Sequence, residues 1–170
     1  CMFSAFIGER ISIFMGVRTL TAPYPVEEVP DFYGIAWGKA ILLAICFAFV
    51  GALFCVMLHI FEKQLKKWFQ NPYLRVFIGG VTVVLLWKIT GTDTYLGLGG
   101  GTIAQSFAEP QKLWVFLLKI LFTCITLCSG FKGGEIVPSL FIGATFGSAL
   151  APIFGLPVDI CAACGMVGVF

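Results

Sequence analysis

Residues 129–138 read Ser-Gly-Phe-Lys-Gly-Gly-Glu-Ile-Val-Pro: a glycine-rich turn and a carboxylate, Glu135, at the mouth of an apolar run. No residue from Ile136 to Val158 carries a formal charge, so the run predicts a helix at membrane depth that opens beside an ionisable group. The first turn of any helix leaves backbone N–H groups without intrahelical partners and carries roughly half a positive charge. Such a terminus, taken out of water, attracts anions. An anion arriving there would repel the Glu135 carboxylate and favour its protonation, which gives a local route to anion-linked proton uptake. The plainer reading is a carboxylate that caps its own helix or pairs with Lys132.

Composition places that helix in lipid. The chain is 59% hydrophobic and only 12% charged, about half the charge of a typical soluble domain, with a mean hydropathy of +0.97. It begins at Cys1 and stops inside the apolar run Ile160 to Phe170, and is expected to be an internal piece of a longer chain. Residues 1–16 have no basic leader and carry Glu9 and Arg10, so they read as the end of a preceding helix rather than a secretory signal.

Hydrophobic runs set the organisation. Ala40 to Phe61 holds 22 residues without a formal charge, enough to cross a hydrocarbon core of about 30 Å, and continues into a polar end at Glu62 to Lys67. Val76 to Trp87 is too short to span unless Ile89 and Thr90 extend it and Lys88 snorkels to the interface. Leu113 to Phe131 is long enough but is interrupted by Lys119, which needs a partner, a cavity or one snorkelling turn. Ile136 to Val158 is expected to be broken by Gly143, Gly147, Pro152, Gly155 and Pro157, in the manner of transporters whose helices stop at mid-membrane. Leu96 to Thr102 is too apolar for an exposed loop and too glycine-rich for a stable helix, and predicts a re-entrant or tightly packed turn.

Loop charges orient the set. Lys63, Lys66, Lys67 and Arg75 follow the first long helix, whereas the loop Val17 to Trp37 carries Arg18 against Glu27, Glu28 and Asp31. The positive-inside rule puts the former in the cytoplasm and the latter outside. Net charge is +2, and the basic cluster is explained by that loop, so no nucleic-acid partner is expected.

The glycine turn Gly97 to Gly101 with a short amphipathic segment after it, the helix ending at Ser129-Gly130, and Gly134-x-x-x-Pro138 leading into a glycine-spaced helix resemble the second half of the CLC family of chloride channels and anion/proton antiporters. The resemblance implies an all-α polytopic transmembrane fold with tilted and broken helices. Residues 1–170 would be part of one such domain, with residues 36–170 forming most of its second inverted repeat. It implies transport of a small monovalent anion, chloride or a related halide, in the cell membrane by a multi-pass homodimer, either as a channel or coupled to protons. It further implies that Gly134, Glu135, Ile136, Val137 and Pro138 occupy the family's anion motif, with the backbone N–H groups of Ile136 and Val137 as donors. Ile136 stands where the family has phenylalanine. An acidic residue at Glu135 is similar to the fluoride-exporting branch, which often carries a hydroxyl residue where this chain has Val137. A fluoride/proton antiporter is therefore the alternative reading. The family's gating glutamate, its pore tyrosine and the motifs of its first repeat fall outside these residues.

Other features are assigned to packing. Gly143 and Gly147 have the spacing that lets two helices approach closely. Ser139 and Thr145 are expected to bond back to their own helix. Lys132 is expected to flank the interface, with a pathway entrance as the sharper alternative. The Cys161-x-x-Cys164 pair, the Cys124/Cys128 pair and His59-x-x-Glu62 lack the further ligands of a metal site, so no metal and no cofactor are expected. An intramembrane enzyme is the second-class alternative, and no enzymatic activity is expected.

Overall fold

A computed structural model describes residues 35–170, with side chains from Gly38 onward. The helix end expected at residues 1–16 and the expected external loop up to residue 34 lie outside the described residues. The loop's last three residues, 35–37, belong instead to the first helix.

Helix α1, Ile35–Trp68, has 34 residues, so at about 1.5 Å per residue it is long enough to cross a bilayer at a marked tilt. It absorbs the predicted span Ala40 to Phe61 together with its polar end. Helix α2, Pro72–Thr90, starts with proline at its first position after an extended Asn71 and stops at Gly91, whose φ is +64° and whose N–H donates to Trp87 O at 2.9 Å. The short uncharged run thus becomes a 19-residue helix by recruiting Pro72 to Arg75 and Lys88 to Thr90, with Lys88 exposed. A 3₁₀ turn, Asp93–Tyr95, follows, and then Gly97 and Gly99, both in the left-handed region. A Cβ at Gly99 would lie 2.5 Å from the Phe141 ring, so the predicted tightly packed turn is required to be glycine. Helix α3, Gly100–Ala108, leads to α4, Trp114–Cys128, then α5, Ile136–Phe154, and α6, Val158–Val169.

Two expectations change. The run Leu113 to Phe131 yields a helix of only 15 residues, shorter than the run, which ends as expected at Ser129 and Gly130, the latter at φ +105°. The run Ile136 to Val158 is not broken throughout. It forms one continuous helix with Pro152 inside it and stops only where Gly155, at φ +62°, and Pro157 interrupt it. Gly143 and Gly147 do not break α5, because their lost side chains are replaced by the backbone of α6. A Cβ at Gly143 would overlap Gly165 O, and one at Gly147 would overlap Cys161 O.

Helix α5 is the centre of the bundle. It is 61% buried over its most apolar window against 6% for α2, which separates a helix that faces protein from one that presents apolar side chains outward. Helices α1, α2 and α5 are long and apolar enough to cross a membrane. Around α5, Phe146 meets Phe116 of α4 at 4.8 Å and Phe47 of α1 at 6.0 Å, both edge to face. The far end is clasped from α1, where Lys39 Nζ donates to Phe154 O at 2.8 Å and satisfies one of the carbonyls that a helix C-terminus leaves open.

Ser148 ties α5 to the link between α3 and α4. Its fully buried hydroxyl donates to Glu109 O at 2.9 Å and accepts from Gln111 N–H at 3.0 Å. Ser148→Ala strands both backbone groups and is expected to destabilise the protein by about 1–3 kcal/mol, read as a lower thermal midpoint in detergent. An unchanged midpoint would show that the link does not depend on this hydroxyl.

Candidate functional site

The turn between α4 and α5 is built to expose a helix start. Ser129 is fully buried, its hydroxyl donates to Ile125 O at 2.5 Å, and a Cβ on Gly79 of α2 would overlap it, so α2 and α4 are locked at this level. Gly130 then reverses the chain in a conformation that L side chains rarely adopt. Helix α5 begins at Ile136 with Glu135 as its cap residue. Ser139 N–H donates to Glu135 O at 3.1 Å, which closes the first turn of the helix. Pro138 has no N–H to offer. The donors left over are the backbone N–H groups of Glu135, Ile136 and Val137, none of which has an acceptor among the described residues. Proline at the third position thus leaves three successive amides as the helix's open donors.

Beside this terminus lies a cavity of about 380 Å³, lined in part by Gly134, Val137, Pro138, Thr123, Lys119 and Gly97. Of the five residues expected to hold an anion, Gly134, Val137 and Pro138 border the cavity, while Glu135 and Ile136 are exposed next to it. The Glu135 carboxylate neither caps α5 nor pairs with Lys132. It has no side-chain hydrogen bond or ion pair among the described residues, where the one salt bridge is Lys66–Glu62 at 2.5 Å. Lys132 is exposed. Ser139 and Thr145 bond back to α5 as expected, to Ile136 O at 2.7 Å and Phe141 O at 2.9 Å, so neither hydroxyl proton is directed to the cavity.

Lys119 does not snorkel. It is 2% exposed, and its Nζ donates to Tyr95 O at 3.2 Å and Gly97 O at 2.8 Å while standing 4.7 Å from the centre of the Phe141 ring. Four apolar CH₂ groups carry the charge from α4 to the glycine turn, where carbonyls that a short turn cannot pair internally receive it. Tyr95 stacks on Phe122 at 5.6 Å and fixes the same turn from the side. Sequence reading missed Tyr95, Phe122 and Phe141 as parts of the site. The usable signal was Lys119 itself, since a cation inside an apolar run must find acceptors, and a glycine turn upstream supplies free carbonyls.

The other chemical motifs do not converge. Among the described residues no group of three or more His, Cys, Asp or Glu side chains is placed to hold a metal ion. Cys124 and Cys161 are buried, Cys128 donates to Leu58 O at 3.4 Å, and Glu62 is taken up by Lys66.

Comparison with known proteins places the whole chain among channel and ion-transport proteins. The family model described as voltage gated chloride channel matches residues 1–170. A chloride/fluoride channel protein of Pseudomonas syringae pv. tomato is 34% identical over 176 residues, covering 100% of this chain and 38% of that protein. YfeO of Escherichia coli, a protein named for ion transport, is 28% identical over 154 residues, covering 87% of this chain and 35% of that protein. The crystal structure of a CLC-type fluoride/proton antiporter superposes with a TM-score of 0.85 at 34% identity, over 98% of this chain and 42% of that one. The chain therefore spans well under half the length of each of these relatives. With a match along its whole length and a shared fold at one-third identity, this chain belongs to the voltage-gated chloride channel family.

Proposed function

We propose that the full-length protein carries a small monovalent anion, chloride or a related halide, across the cell membrane, and that the start of α5 forms part of its anion site. The observation that carries this reading is the pair of unpartnered amides of Ile136 and Val137 beside the cavity. A dehydrated halide needs donors that are already oriented and cost little to desolvate, and a helix N-terminus supplies both. Gly134 contributes by its lack of bulk: a Cβ there would meet nothing within 4 Å, so the backbone stays open to approach. Pro138 contributes by removing a competing donor and stiffening the turn. Residues 36–170 form most of the second inverted repeat in this reading, and a homodimer is the working unit. It is a transporter and not an enzyme.

Fluoride exchanged for protons is the second reading, and Glu135 favours it. An exposed carboxylate with no partner among the described residues stands one residue before the amides of Ile136 and Val137, where an arriving anion would repel it. The names of two relatives, a chloride/fluoride channel protein and a fluoride/proton antiporter, point the same way.

The full-length protein reconstituted in liposomes tests both. Ion-selective electrodes follow chloride and fluoride efflux while a pH electrode follows the bath. Fluoride efflux in preference to chloride, accompanied by proton uptake, is expected from the second reading. Chloride efflux supports the general one, and no flux of either ion from folded protein sinks the transport assignment.

A further inference from the structure

We infer that Lys119 is a positioning residue for the anion site: its buried ammonium both ties the Gly97 turn into the wall of the cavity and supplies the positive potential that holds an anion at the start of α5. The inference rests on the halide-transport reading and adds a residue to it.

Three observations meet in this side chain. First, Lys119 is the single charged residue among those lining the cavity, and Gly134, Val137 and Pro138 of the helix start line the same space. Second, its charge is not neutralised: no carboxylate of the described residues lies within 4 Å, and its two hydrogen-bond partners are neutral carbonyls. A buried ammonium is costly unless something compensates it, and two carbonyls and an aromatic face compensate its hydrogen bonding while leaving the net charge in place. Third, the two elements it touches both contribute to the cavity wall. Tyr95 and Gly97 come from the turn before α3, and Phe141 comes from α5, six residues after Glu135. Phe141 is fully buried and also abuts Gly99, so the turn, the lysine and the helix form one packed junction.

A purely structural lysine would be served equally well by an acidic partner, which would cancel its field. The carbonyl cradle leaves the field intact, and in a low-dielectric wall it reaches an anion much less screened than it would in water. The helix terminus and the ammonium then act on the same ion from two sides of the cavity.

The test uses the full-length protein in liposomes, with halide flux measured against halide concentration. Lys119→Gln keeps an N–H donor for the carbonyls and removes the charge. It is expected to raise the apparent KM for the transported halide about tenfold, with a smaller change in maximal rate. Lys119→Arg keeps charge and donors and is expected to return the KM to within about threefold of the starting value. Thr126→Lys adds a second cation to the same cavity wall without touching Lys119 and is expected to lower the KM. It serves where Lys119→Gln cannot be recovered folded. A folded Lys119→Gln with an unaltered KM overturns the inference, as does a Thr126→Lys protein with an unaltered KM. In either case a starting protein that moves halide leaves the transport reading standing. Absence of halide flux in the starting protein itself is the separate failure of that reading.

Discussion

Glutamine at position 135 is expected to disconnect protons from anion movement. In liposomes loaded with fluoride, the Glu135→Gln protein should release the anion with proton uptake reduced about a hundredfold or more, the scale on which a positioned proton carrier acts. The substitution removes little else. Glu135 has no hydrogen bond from its side chain and no ion pair among the described residues, and it is exposed, so glutamine leaves packing intact and stability within about 0.5 kcal/mol. The backbone oxygen of residue 135, which accepts from Ser139 N–H, is unchanged by the substitution. Proton uptake that persists at its original ratio to fluoride in Glu135→Gln would remove this carboxylate from the mechanism and leave it a surface residue at a helix start.

The second large effect is expected from bulk between α5 and α6. Gly147 has the backbone of Cys161 and Ala162 where its side chain would be, and Gly143 and Gly165 oppose each other across the same seam. Gly147→Leu cannot be absorbed by a rotamer change, since the obstacle is a main-chain carbonyl. The two helices must separate, which forfeits contacts along the most extensive helix pair of the bundle and costs about 3 kcal/mol or more. Within lipid no hydrophobic force restores them, because the tails are as apolar as the side chains. The protein is expected to elute as aggregate or to lose a large part of its thermal stability in detergent. Gly101→Ala is the control: its Cβ meets nothing within 4 Å, it sits in the first turns of α3, and it should be neutral or slightly stabilising. Equal behaviour of the two variants would deny that the seam is close-packed.

Much of this bundle was legible in the residues. The charge-free runs announced α1 and α5, and the glycine spacing of Gly143 and Gly147 announced the seam with α6, because close approach leaves the same mark in any membrane helix. What the runs could not reveal was where helices stop for reasons other than polarity. The run Leu113 to Phe131 continues in apolar character to Phe131, yet α4 stops at Cys128, at the Ser129-Gly130 turn that only the family resemblance marked as its end. Proline and glycine read as breaks in Ile136 to Val158, yet only Gly155 and Pro157 interrupt it. Pro152 is carried within α5, and the interior glycines are held helical by a neighbour that lies 14 or more residues away in sequence. The site divides in the same way. The turn and helix start at Gly134 to Pro138 were legible because a glycine turn and a proline at a helix start have a local signature. The acceptors of Lys119 could not, because they are backbone oxygens whose residues, Tyr95 and Gly97, say nothing of the bond they make.

The clasp of Phe154 O by Lys39 bears on the order in which the bundle assembles. The two residues are 115 positions apart, so the bond cannot form until the chain has delivered α2, the glycine turn, α3, α4 and nearly all of α5. Closing so long a loop is entropically unfavourable on its own, and the neighbouring packing must already hold the ends together. The lysine is synthesised first and waits. Its bond joins the beginning of α1 to the end of α5, and it closes only where packing has already brought those two ends together.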